Sequence, residues 1–453
     1  MRVIVIGAGP AGRFSATALK AMGGEPVVIE KDFLGGECAN KRCIVEVSLA
    51  EYAVTLDVTE KMGLEPNAAS FREVMGELRS FRDMMRAFFD MQAKESGMEE
   101  IRGEAKLIDP KTVEVNGEMV KGDAIIIATG SRPLVPDIPG MDLDGVITYH
   151  DIIEMTELPE ELVVVGGGAV GAAYACILGQ LGSKVTVLER FKVLGGFDHD
   201  LRDYAIEQLK SRGISIFEGA LVKEIKGGSR VESLLAEVDG EEREFSADCV
   251  LFATGLIPNS EIAKDIGVKI GERNEIIVNE RMQTNVDGVY AAGDVIGPPF
   301  LTPVARREGW VAASNIMGKD VRMDYSLIPH FVPLFMEFSS VGLTEEEAVA
   351  EYGRENIAVL MMPPAVPYPS GCRSIWLARL DPRLTGMMKL VLERKSRKIL
   401  GAHMASYTGK NAMHYLAALM KRGFTIDELA EIIEVYPDND LFPVMAKMML
   451  GMV

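Results

Sequence analysis

Short apolar runs alternate with helix-length amphipathic segments along most of this chain. Residues 2–6 form an apolar run of strand length, a helical pattern follows through Met22, and a second apolar run ends at Glu30. The same order returns later, where an apolar run at 162–165 precedes a helical pattern and then the run 185–189. Strands that alternate with helices in this way predict βαβ units with parallel sheets. We therefore predict an α/β protein that contains two such units.

The stretch between the two units predicts one long helix and several short strands. Residues 101–120 alternate in strand-like pieces, and residues 124–129 form an apolar run typical of a buried strand. Over residues 67–97, apolar side chains recur at helical spacing, which indicates an amphipathic helix whose apolar face packs on the core. These side chains are Phe71, Val74, Met75, Leu78, Phe81, Met85 and Phe88.

A glycine-rich turn joins the strand and the helix of each unit. It reads Gly7-Ala8-Gly9-Pro10-Ala11-Gly12 in the first unit and Gly166-Gly167-Gly168-Ala169-Val170-Gly171 in the second. Glycines permit the tight turn and let backbone N–H groups approach a pyrophosphate at the positive end of the helix. Glu30 and Glu189 end the following strands, where a carboxylate accepts hydrogen bonds from ribose hydroxyls. Two such units imply two bound nucleotides.

Glu189 bears on which nicotinamide nucleotide the second unit binds. A carboxylate at this strand end favours a free ribose 2′-hydroxyl and repels a 2′-phosphate, so it favours NAD over NADP. Arg190 and Lys192 follow closely, and their positive charge leaves NADP open.

Two cysteines, Cys38 and Cys43, follow the first unit with four residues between them. Residues four apart on a helix face each other, so a pair five apart needs a distorted first turn to bring its sulfurs within disulfide reach. The preceding Gly35-Gly36 supplies the backbone freedom for this distortion. Lys41 and Arg42 between the cysteines are cations of the kind that lowers a thiol pKa. On spacing alone, a redox pair and two unrelated buried thiols both remain open.

Composition narrows the classes of partner and compartment. The chain has 453 residues and a formal net charge of -19, which argues against binding to nucleic acid or to an anionic membrane. No apolar run is long enough to span a bilayer. Five cysteines without a secretory signal do not indicate a disulfide scaffold, so we expect a reducing, cytoplasmic location. Histidines and cysteines are not clustered at metal-ligand spacing, so we expect no metal site.

Further motifs give the chain a specific resemblance. Residues 289–294 read Val-Tyr-Ala-Ala-Gly-Asp, and residues 301–305 read Leu-Thr-Pro-Val-Ala. With the two glycine turns and the cysteine pair, they resemble the FAD-dependent pyridine nucleotide–disulfide oxidoreductases, the group of dihydrolipoamide dehydrogenase, glutathione reductase and mercuric reductase. Residues 338–345 and 399–403 are similar to the C-terminal interface domain of that family, so the resemblance covers the whole chain.

The resemblance implies two three-layer Rossmann-like dinucleotide-binding domains and a C-terminal α+β dimerisation domain. We expect an FAD-binding domain over 1–150 and 272–327, an NAD(P)-binding domain over 151–271 and a dimerisation domain over 328–453. It also implies a homodimer in which the C-terminal segment of the partner completes each active site. The implied FAD site consists of Gly7, Gly9, Pro10, Ala11, Gly12, Glu30, Lys31, Gly36, Glu37, Ala105, Ala128, Thr129, Gly130, Gly293, Asp294, Leu301, Thr302 and Ala305. The implied nicotinamide nucleotide site consists of Gly166, Gly168, Val170, Gly171, Glu189 and Gly255.

The chemistry that the resemblance implies is electron transfer from nicotinamide to flavin, to the disulfide and then to a substrate. Cys43 would be the thiolate against the flavin, and Cys38 would attack the substrate disulfide. The partner would be a small thiol or disulfide compound or a protein redox partner.

The sequence departs from the family at the proton-transfer site. Members end with a His-Pro pair and a glutamate five residues after the histidine, but here these positions hold Tyr436 and Leu441. His414 is the last histidine of the chain, so no shifted histidine replaces the missing base. Tyr436 donates a hydrogen bond but is a poor base at neutral pH. Asp438 and Asp440 flank it, and each either orients it or lies in an exposed loop.

A second departure concerns an ion pair beside the flavin. Family members commonly carry a lysine four residues after the second cysteine and a glutamate two residues after the last glycine of the second turn. Here these positions hold Val47 and Ala173, so both halves of the pair are absent together. Because both partners are absent, neither leaves an unpaired charge beside the flavin. We therefore expect a more apolar flavin site than in ordinary members.

Three hypotheses follow. The first is an NAD(H)-linked flavoprotein that exchanges electrons with a thiol or disulfide without a histidine base. The second is reductive C–S bond cleavage, resembling the ketopropyl-coenzyme M oxidoreductase/carboxylase type, which also lacks the dyad. The third is a flavoprotein relay that takes electrons from a protein partner. We interpret His150 as a surface or interdomain residue and His403 as structural, and we expect the thiols of Cys176, Cys249 and Cys372 to be inert.

Overall fold

The structure is a computed structural model that describes residues 1–64, 68–362, 385–435 and 440–451. The elements of its first part, in chain order, are β1 (Arg2–Ile6), α1 (Pro10–Ala21), β2 (Glu25–Glu30), α2 (Gly36–Asn40), α3 (Cys43–Lys61), α4 (Phe71–Ser96), β3 (Glu99–Arg102), β4 (Ala105–Asp109), β5 (Thr112–Val115), β6 (Glu118–Lys121), β7 (Ala124–Ile127) and β8 (Ser131–Pro133). The middle part contains β9 (Val146–Thr148), β10 (Glu161–Val165), α5 (Ala169–Gln180), β11 (Lys184–Glu189), α6 (His199–Ser211), β12 (Ser215–Glu218), β13 (Ala220–Gly227), β14 (Val231–Val238), β15 (Glu241–Ser246), β16 (Cys249–Phe252) and β17 (Leu256–Pro258).

The last part begins with a strand that returns to the first sheet. It contains β18 (Val289–Ala291), α7 (Thr302–Ile316), β19 (His330–Pro333), β20 (Glu337–Gly342), α8 (Glu345–Tyr352), β21 (Ile357–Met362), β22 (Met387–Glu393) and β23 (Ile399–Ser406). Helices at Gly409–Met420, Ile426–Ala430 and Phe442–Met449 follow.

The first sheet is parallel and has the strand order β18-β7-β1-β2-β3. Apart from the edge strand β3, its strands are largely buried, and alternate residues pack against opposite faces. On one face, Val3 and Val5 join a core with residues of α1 and α7. On the other, Ile4 and Ile6 join a core with Leu107 of β4 and residues of β5. The result is a three-layer unit, as the resemblance implies.

The second sheet repeats this arrangement. Its parallel strands have the order β12-β11-β10-β16-β9, so β9 joins this sheet and not the first. Helix α5 covers one face, and the antiparallel sheet β13-β14-β15 covers the other. Every residue of α5 from 171 to 178 is buried, which explains why its sequence is apolar on all sides.

The third sheet is antiparallel, with the order β19-β20-β23-β22-β21. The C-terminal helices pack on it around Leu416, Leu429 and Phe442. This α+β arrangement agrees with the predicted C-terminal fold class. Among the described residues, no helix combines the length and the apolar character that crossing a bilayer requires.

Helix α4 differs from the prediction in its start and in its apolar face. It begins at Phe71, because Ser70 and Glu73 form a reciprocal capping box, and it ends before Gly97, which has φ 60°. Phe71, Val74 and Leu78 pack against the core, as predicted. The prediction is wrong for the C-terminal half, where Phe81 and Phe88 are 40% and 42% exposed.

A buried lysine ties the second unit to the third sheet. The ammonium of Lys389 on β22 lies 2.8 Å from Asp198 Oδ1, 2.5 Å from Asp200 Oδ2 and 2.7 Å from Glu345 Oε2. Burial alone would raise the pKa of Asp198, but His403 and Lys389 hold it below its usual range. His199 and its neighbouring carboxylates lie close enough together to hold a metal ion, although the sequence spacing predicted no metal site. Lys389 already supplies a cation to these carboxylates.

Candidate active site

The first glycine turn leaves no room for side chains at two of its positions. A Cβ at Gly7, which has φ +100°, would collide with the carbonyl oxygen of Ala128, and one at Gly12 would collide with the Gly7 carbonyl. Glu30 Oε2 accepts a 2.7 Å hydrogen bond from the Ala8 N–H and so braces the turn. Helix α1 begins after Gly9 without a side-chain cap, which leaves its first N–H groups for a ligand. This cradle fits a pyrophosphate.

The second glycine turn has the same construction. A Cβ at Gly166, with φ +103°, would collide with the Ala253 carbonyl, and one at Gly171 would collide with the Gly166 carbonyl. Glu189 accepts from the N–H groups of Gly167 at 2.6 Å and Phe191 at 2.7 Å. Helix α5 also starts without a side-chain cap. The residues therefore fit a second dinucleotide, as the duplicated motif predicts.

The cysteine segment follows directly on the first turn. Gly35 and Gly36 have φ of +95° and +58°, which admits the left-handed backbone that starts α2. A Cβ on Gly36 would lie 2.7 Å from Gly9 Cα, so the segment is packed on the phosphate turn. Helix α2 ends at Asn40, and α3 starts at Cys43. The distortion predicted for a five-residue spacing is therefore a break between two helices.

The break brings the two sulfurs together as free thiols in hydrogen-bond contact. The hydrogen bond from Cys43 stabilises a thiolate at Cys38 and lowers its pKa to about 6, against the opposing effect of burial. The pKa of Cys43 rises, because its thiol gives that hydrogen bond and is itself buried. The two ionisations belong to the pair. The pair loses its first proton easily and its second with difficulty. In this structure the negative charge lies on Cys38, whereas the resemblance implies a thiolate at Cys43.

Three neighbours further stabilise a thiolate in this pair. Thr302 Oγ1, in the first turn of α7, lies 3.5 Å from Cys43 Sγ. The guanidinium groups of Arg42 and Arg306 lower the pKa of Cys38 through their positive charge. Arg42 was expected in this role from the sequence, whereas Arg306 of α7 was not, because nothing local connects it to the cysteines.

Arg42 links the cysteine pair to Asp294. Its Nη1 lies 3.8 Å from Asp294 Oδ2, and its guanidinium lies 5.5 Å from the ring centroid of Tyr149. The same carboxylate oxygen accepts a 2.8 Å hydrogen bond from Ser131. Burial raises the pKa of Asp294. Asp294, which follows β18, thus reaches the cysteine site through Arg42.

Glu37, predicted as a cofactor-binding residue, has two protein partners. Its carboxylate accepts from the Tyr149 hydroxyl at 2.9 Å and lies 2.6 Å from His150 Nε2. Both partners come from the segment that leads out of β9. His150 therefore joins the cysteine helix to the second unit, and this position agrees with the interdomain interpretation.

Two ionisable groups near the site escaped the sequence reasoning. Glu46 lies one turn after Cys43, and Glu308 accepts from the Gly293 N–H at 2.8 Å and from the Tyr325 hydroxyl at 2.8 Å. Burial raises the pKa of Glu46 to about 7 and that of Glu308 to about 6. Glu46 follows Cys43 by three positions, so helical spacing alone was a sufficient signal for it.

The other predicted residues are distributed around the two turns. Thr129 donates to the Asn259 carbonyl at 2.7 Å, Leu301 precedes α7, and Lys31 is an exposed residue 3.7 Å from Glu104.

Burial raises the pKa of Cys176 and Cys249 to about 12, which agrees with their predicted inertness. Tyr436, Asp438 and Cys372 lie outside the described residues. His403 is buried between Ser340 Oγ and the Leu343 carbonyl, each at 3.1 Å, and this agrees with a structural role.

Comparison with known proteins agrees with this architecture. The pyridine nucleotide-disulphide oxidoreductase family matches residues 1–309, and its dimerisation domain matches residues 328–440. Mercuric reductase of Staphylococcus aureus is 30% identical over 446 residues, covering 96% of this chain and 79% of that protein. Glutathione reductase of Nostoc sp. is 30% identical over 461 residues, covering 96% and 97%. Dihydrolipoyl dehydrogenase of Corynebacterium glutamicum is 30% identical over 453 residues, covering 96% and 94%.

A solved structure shows the same fold. The HOCl-induced flavoprotein disulfide reductase RclA from Escherichia coli superposes with a TM-score of 0.85 at 25% identity, covering 98% of both chains. Its Cu(II) complex gives a TM-score of 0.86 at 24% identity, covering 99% of both.

Two nucleotide-binding domains, a dimerisation domain and a thiol pair beside the first phosphate turn define a flavoprotein disulfide reductase. The chain belongs to the FAD-dependent pyridine nucleotide–disulfide oxidoreductases, which are enzymes of the EC 1.8.1 type, and its dimerisation domain indicates a homodimer.

Proposed function

We propose that this protein is an NAD(H)-linked flavoenzyme that exchanges electrons with a thiol or disulfide compound through Cys38 and Cys43, without a histidine base. The observation that carries the proposal is the shared hydrogen bond between the two thiols at the helix break, with Thr302 at 3.5 Å. Since the thiolate is the form that attacks a disulfide, a pair that loses one proton near neutral pH suits this exchange.

Bound FAD would supply the group that accepts hydride from the nicotinamide and passes two electrons to the disulfide. The residues proposed to hold it line the first phosphate turn, the strand end at Glu30, the cysteine segment and the start of α7. They are Gly7, Gly9, Pro10, Ala11, Gly12, Glu30, Lys31, Gly36, Glu37, Ala105, Ala128, Thr129, Gly130, Gly293, Asp294, Leu301, Thr302 and Ala305. Within this set, Glu30 and the glycines shape the cradle, and Asp294 stays anchored by Ser131.

The second unit would hold the nicotinamide nucleotide with Gly166, Gly168, Val170, Gly171, Glu189 and Gly255. NAD(H) is favoured because both carboxylate oxygens of Glu189 accept backbone hydrogen bonds, which keeps its negative charge at the ribose position. Arg190 is exposed, and its guanidinium carbon lies 5.3 Å from the ring centroid of Phe191. The guanidinium group therefore faces this ring.

Anaerobic titration with NADH and with NADPH tests the proposal. We expect NADH to reduce the purified flavoprotein faster than NADPH and to produce a long-wavelength thiolate–flavin band. Cys43→Ser should abolish the band, whereas Cys249→Ala, a matched control in the buried strand β16, should retain it. A band that persists in the Cys43→Ser variant would contradict the role of the pair, and flavin that NADH leaves oxidised would favour a protein electron donor.

A substrate panel follows from the same experiment. Small disulfides come first because the thiol pair exchanges with S–S bonds. Hg(II) and Cu(II) belong in the panel because relatives are named mercuric reductase and one solved relative is a Cu(II) complex. Turnover of lipoamide would exclude the C–S cleavage hypothesis.

A further inference from the structure

The helix break between the two cysteines is organised around Glu37. The backbone carbonyl of Glu37 accepts hydrogen bonds from the N–H groups of Lys41 at 2.8 Å and Arg42 at 2.9 Å, the two residues that separate α2 from α3. Its carboxylate is held as well, because it accepts from the Tyr149 hydroxyl at 2.9 Å and lies 2.6 Å from His150 Nε2. The backbone of Glu37 is therefore fixed within the break, and its side chain is fixed by the second unit.

Tyr149 contacts the residue before each of the two cysteines. Glu37 directly precedes Cys38, and the Tyr149 hydroxyl donates to its carboxylate. Arg42 directly precedes Cys43, and its guanidinium carbon lies 5.5 Å from the centroid of the Tyr149 ring. A guanidinium within about 6 Å of an aromatic ring is attracted to the face of that ring. One buried side chain therefore reaches both ends of the segment that separates the sulfurs.

The segment that carries Tyr149 is fixed by a local turn. The N–H and the hydroxyl of Thr148 donate to the Asp151 carboxylate at 2.8 and 2.9 Å, and the Asp151 N–H donates back to the Thr148 carbonyl at 3.0 Å. Tyr149 is 2% exposed and belongs to the core that α3 and α5 share. Burial and the negative charge of Glu37 raise the pKa of Tyr149, so the hydroxyl keeps its proton and remains a donor.

We propose that Tyr149 is a positioning residue for the cysteine pair, which acts through Glu37 to hold the helix break closed and keep the two sulfurs in contact. His150 lies against the same carboxylate and has the same effect. The inference rests on the proposed function, because it concerns the same thiol pair. Thr302 and Arg306 act on the sulfurs themselves, whereas Tyr149 acts on the backbone between them.

A loosened break has two consequences of known sign. Two thiols that are held together form a disulfide more readily than thiols that are free to separate, because less chain entropy opposes the bond. The disulfide of a loosened pair is therefore easier to reduce. The hydrogen bond from Cys43 also lowers the pKa of Cys38, so its loss leaves less thiolate at Cys38 and slows alkylation.

Equilibration of the holoenzyme at pH 7 in mixtures of reduced and oxidised dithiothreitol measures the first consequence. Reduced dithiothreitol gives two electrons and two protons to the protein disulfide and becomes a disulfide itself, and trapping with an alkylating agent counts the free thiols. Tyr149→Phe keeps the ring beside Arg42 but removes the donor to Glu37. The ratio of reduced to oxidised protein should rise about 3–10-fold, which is the effect of one hydrogen bond. Tyr52→Phe should match the wild type, because it removes a hydroxyl from α3 that donates to the Ala69 carbonyl.

A double-mutant cycle shows whether Tyr149 acts through Glu37. Glu37→Ala removes the acceptor and should raise the ratio in the same direction. Because the two changes break one interaction, adding Tyr149→Phe to Glu37→Ala should change the ratio less than about twofold. A further 3–10-fold rise in the double variant would contradict the inference, since Tyr149 would then act without Glu37.

His150→Asn keeps the inference testable if Tyr149→Phe does not fold. The shorter side chain leaves the Glu37 carboxylate, and the ratio should rise in the same direction as in Tyr149→Phe. Equal ratios in the wild type, Tyr149→Phe and His150→Asn would overturn the inference. An equal rise in Tyr52→Phe would overturn it too, because the effect would then belong to the loss of any hydroxyl.

Alkylation of the reduced protein separates this inference from the proposed function. At pH 6, Cys38 should react about 2–5-fold more slowly in Tyr149→Phe than in the wild type, and Tyr52→Phe should leave the rate unchanged. If the wild type forms no disulfide in any dithiothreitol mixture, the proposed function fails, and the alkylation rates still decide the role of Tyr149. If the wild type forms the disulfide but its ratio and rate equal those of Tyr149→Phe, the role of Tyr149 fails and the proposed function stands.

Discussion

The two nucleotide-binding units share one backbone design but differ in what is packed against it. In both, a glycine packs on the carbonyl of the residue that follows a strand and closes the turn. A second glycine gives room for the helix, and a glutamate at the end of the next strand braces the loop. The first turn is covered by the cysteine segment through Gly36. In the second unit, Val193 lies over Gly167, and the chain continues into α6.

The residues suited to nucleotide binding occur in both units, whereas the residues proposed for the chemistry occur in only one. The residues that repeat in both units are those that a dinucleotide needs, namely the glycines, the uncapped helix and the strand-end carboxylate. The residues that occur once are those proposed for the reaction, together with those that link the second unit to the third sheet. Cys38 and Cys43 follow the first turn, whereas Asp198 follows the second and binds the buried Lys389.

The largest expected effects come from matched glycine substitutions in the two turns. Gly12→Ala and Gly171→Ala place a Cβ against the preceding turn in the same way. We expect Gly12→Ala to purify without flavin. We expect Gly171→Ala to retain flavin but to lose about 10²-fold in the rate of reduction by NADH, because the nucleotide is misplaced. Flavin content and stopped-flow reduction check these results, and equal effects on flavin retention would contradict the assignment of the two sites.

A smaller effect is expected at the link between the second unit and the third sheet. Lys389→Met leaves Asp198 buried without its cation, and removing one partner of a buried pair typically costs about 3–5 kcal/mol. Urea unfolding at fixed protein concentration measures this loss, with the exposed Lys395→Met as control.

The pH dependence of this link has a definite sign. The pKa of Asp198 is held below its usual range in the folded protein, so the stability from its ionised form is present at neutral pH. That contribution is lost as the pH falls through the lowered pKa. A wild type and a Lys389→Met variant with equal stability at pH 7 would contradict the role of the lysine.

The smallest effect concerns the cation that α7 adds to the first unit. Arg306→Gln removes a positive charge near Cys38 and should raise the pKa of the thiol pair. Because the thiolate is the reactive form, alkylation of the reduced protein at pH 6 should slow by about 2–5-fold, which corresponds to less than one pKa unit. Arg307→Gln, which removes the neighbouring guanidinium from the ring of Trp310, should leave the rate unchanged.

The sequence predicted those parts of the fold and the site whose cause is local. Strand, glycine turn, helix and acidic strand end lie within thirty residues of one another in each unit, so periodicity and spacing identify them. The break at Cys43 also follows from local spacing, since five residues cannot place two sulfurs together on a regular helix. The start of α4 was predicted less accurately. The helix begins at Phe71 because Ser70 and Glu73 form a capping box, and this box was not used in the prediction.

The remaining features depend on contacts between distant segments. Arg306 lowers the pKa of Cys38 from another helix, and Asp294 approaches Arg42 from the segment after β18. The exposed half of α4, with Phe81 and Phe88, has the same periodicity as its buried half. Periodicity identifies an apolar face, but the neighbouring layer decides how much of that face is covered.

The packing of Gly36 on Gly9 has a mechanical consequence. Neither residue has a side chain that can yield, and any Cβ on Gly36 would lie 2.7 Å from Gly9 Cα. The distance from the phosphate cradle to the sulfurs is therefore a fixed dimension of the protein, maintained by direct backbone contact. A displacement of the cradle would be transmitted to the thiols, so that in the proposed function the binding of FAD and the position of the thiols are linked.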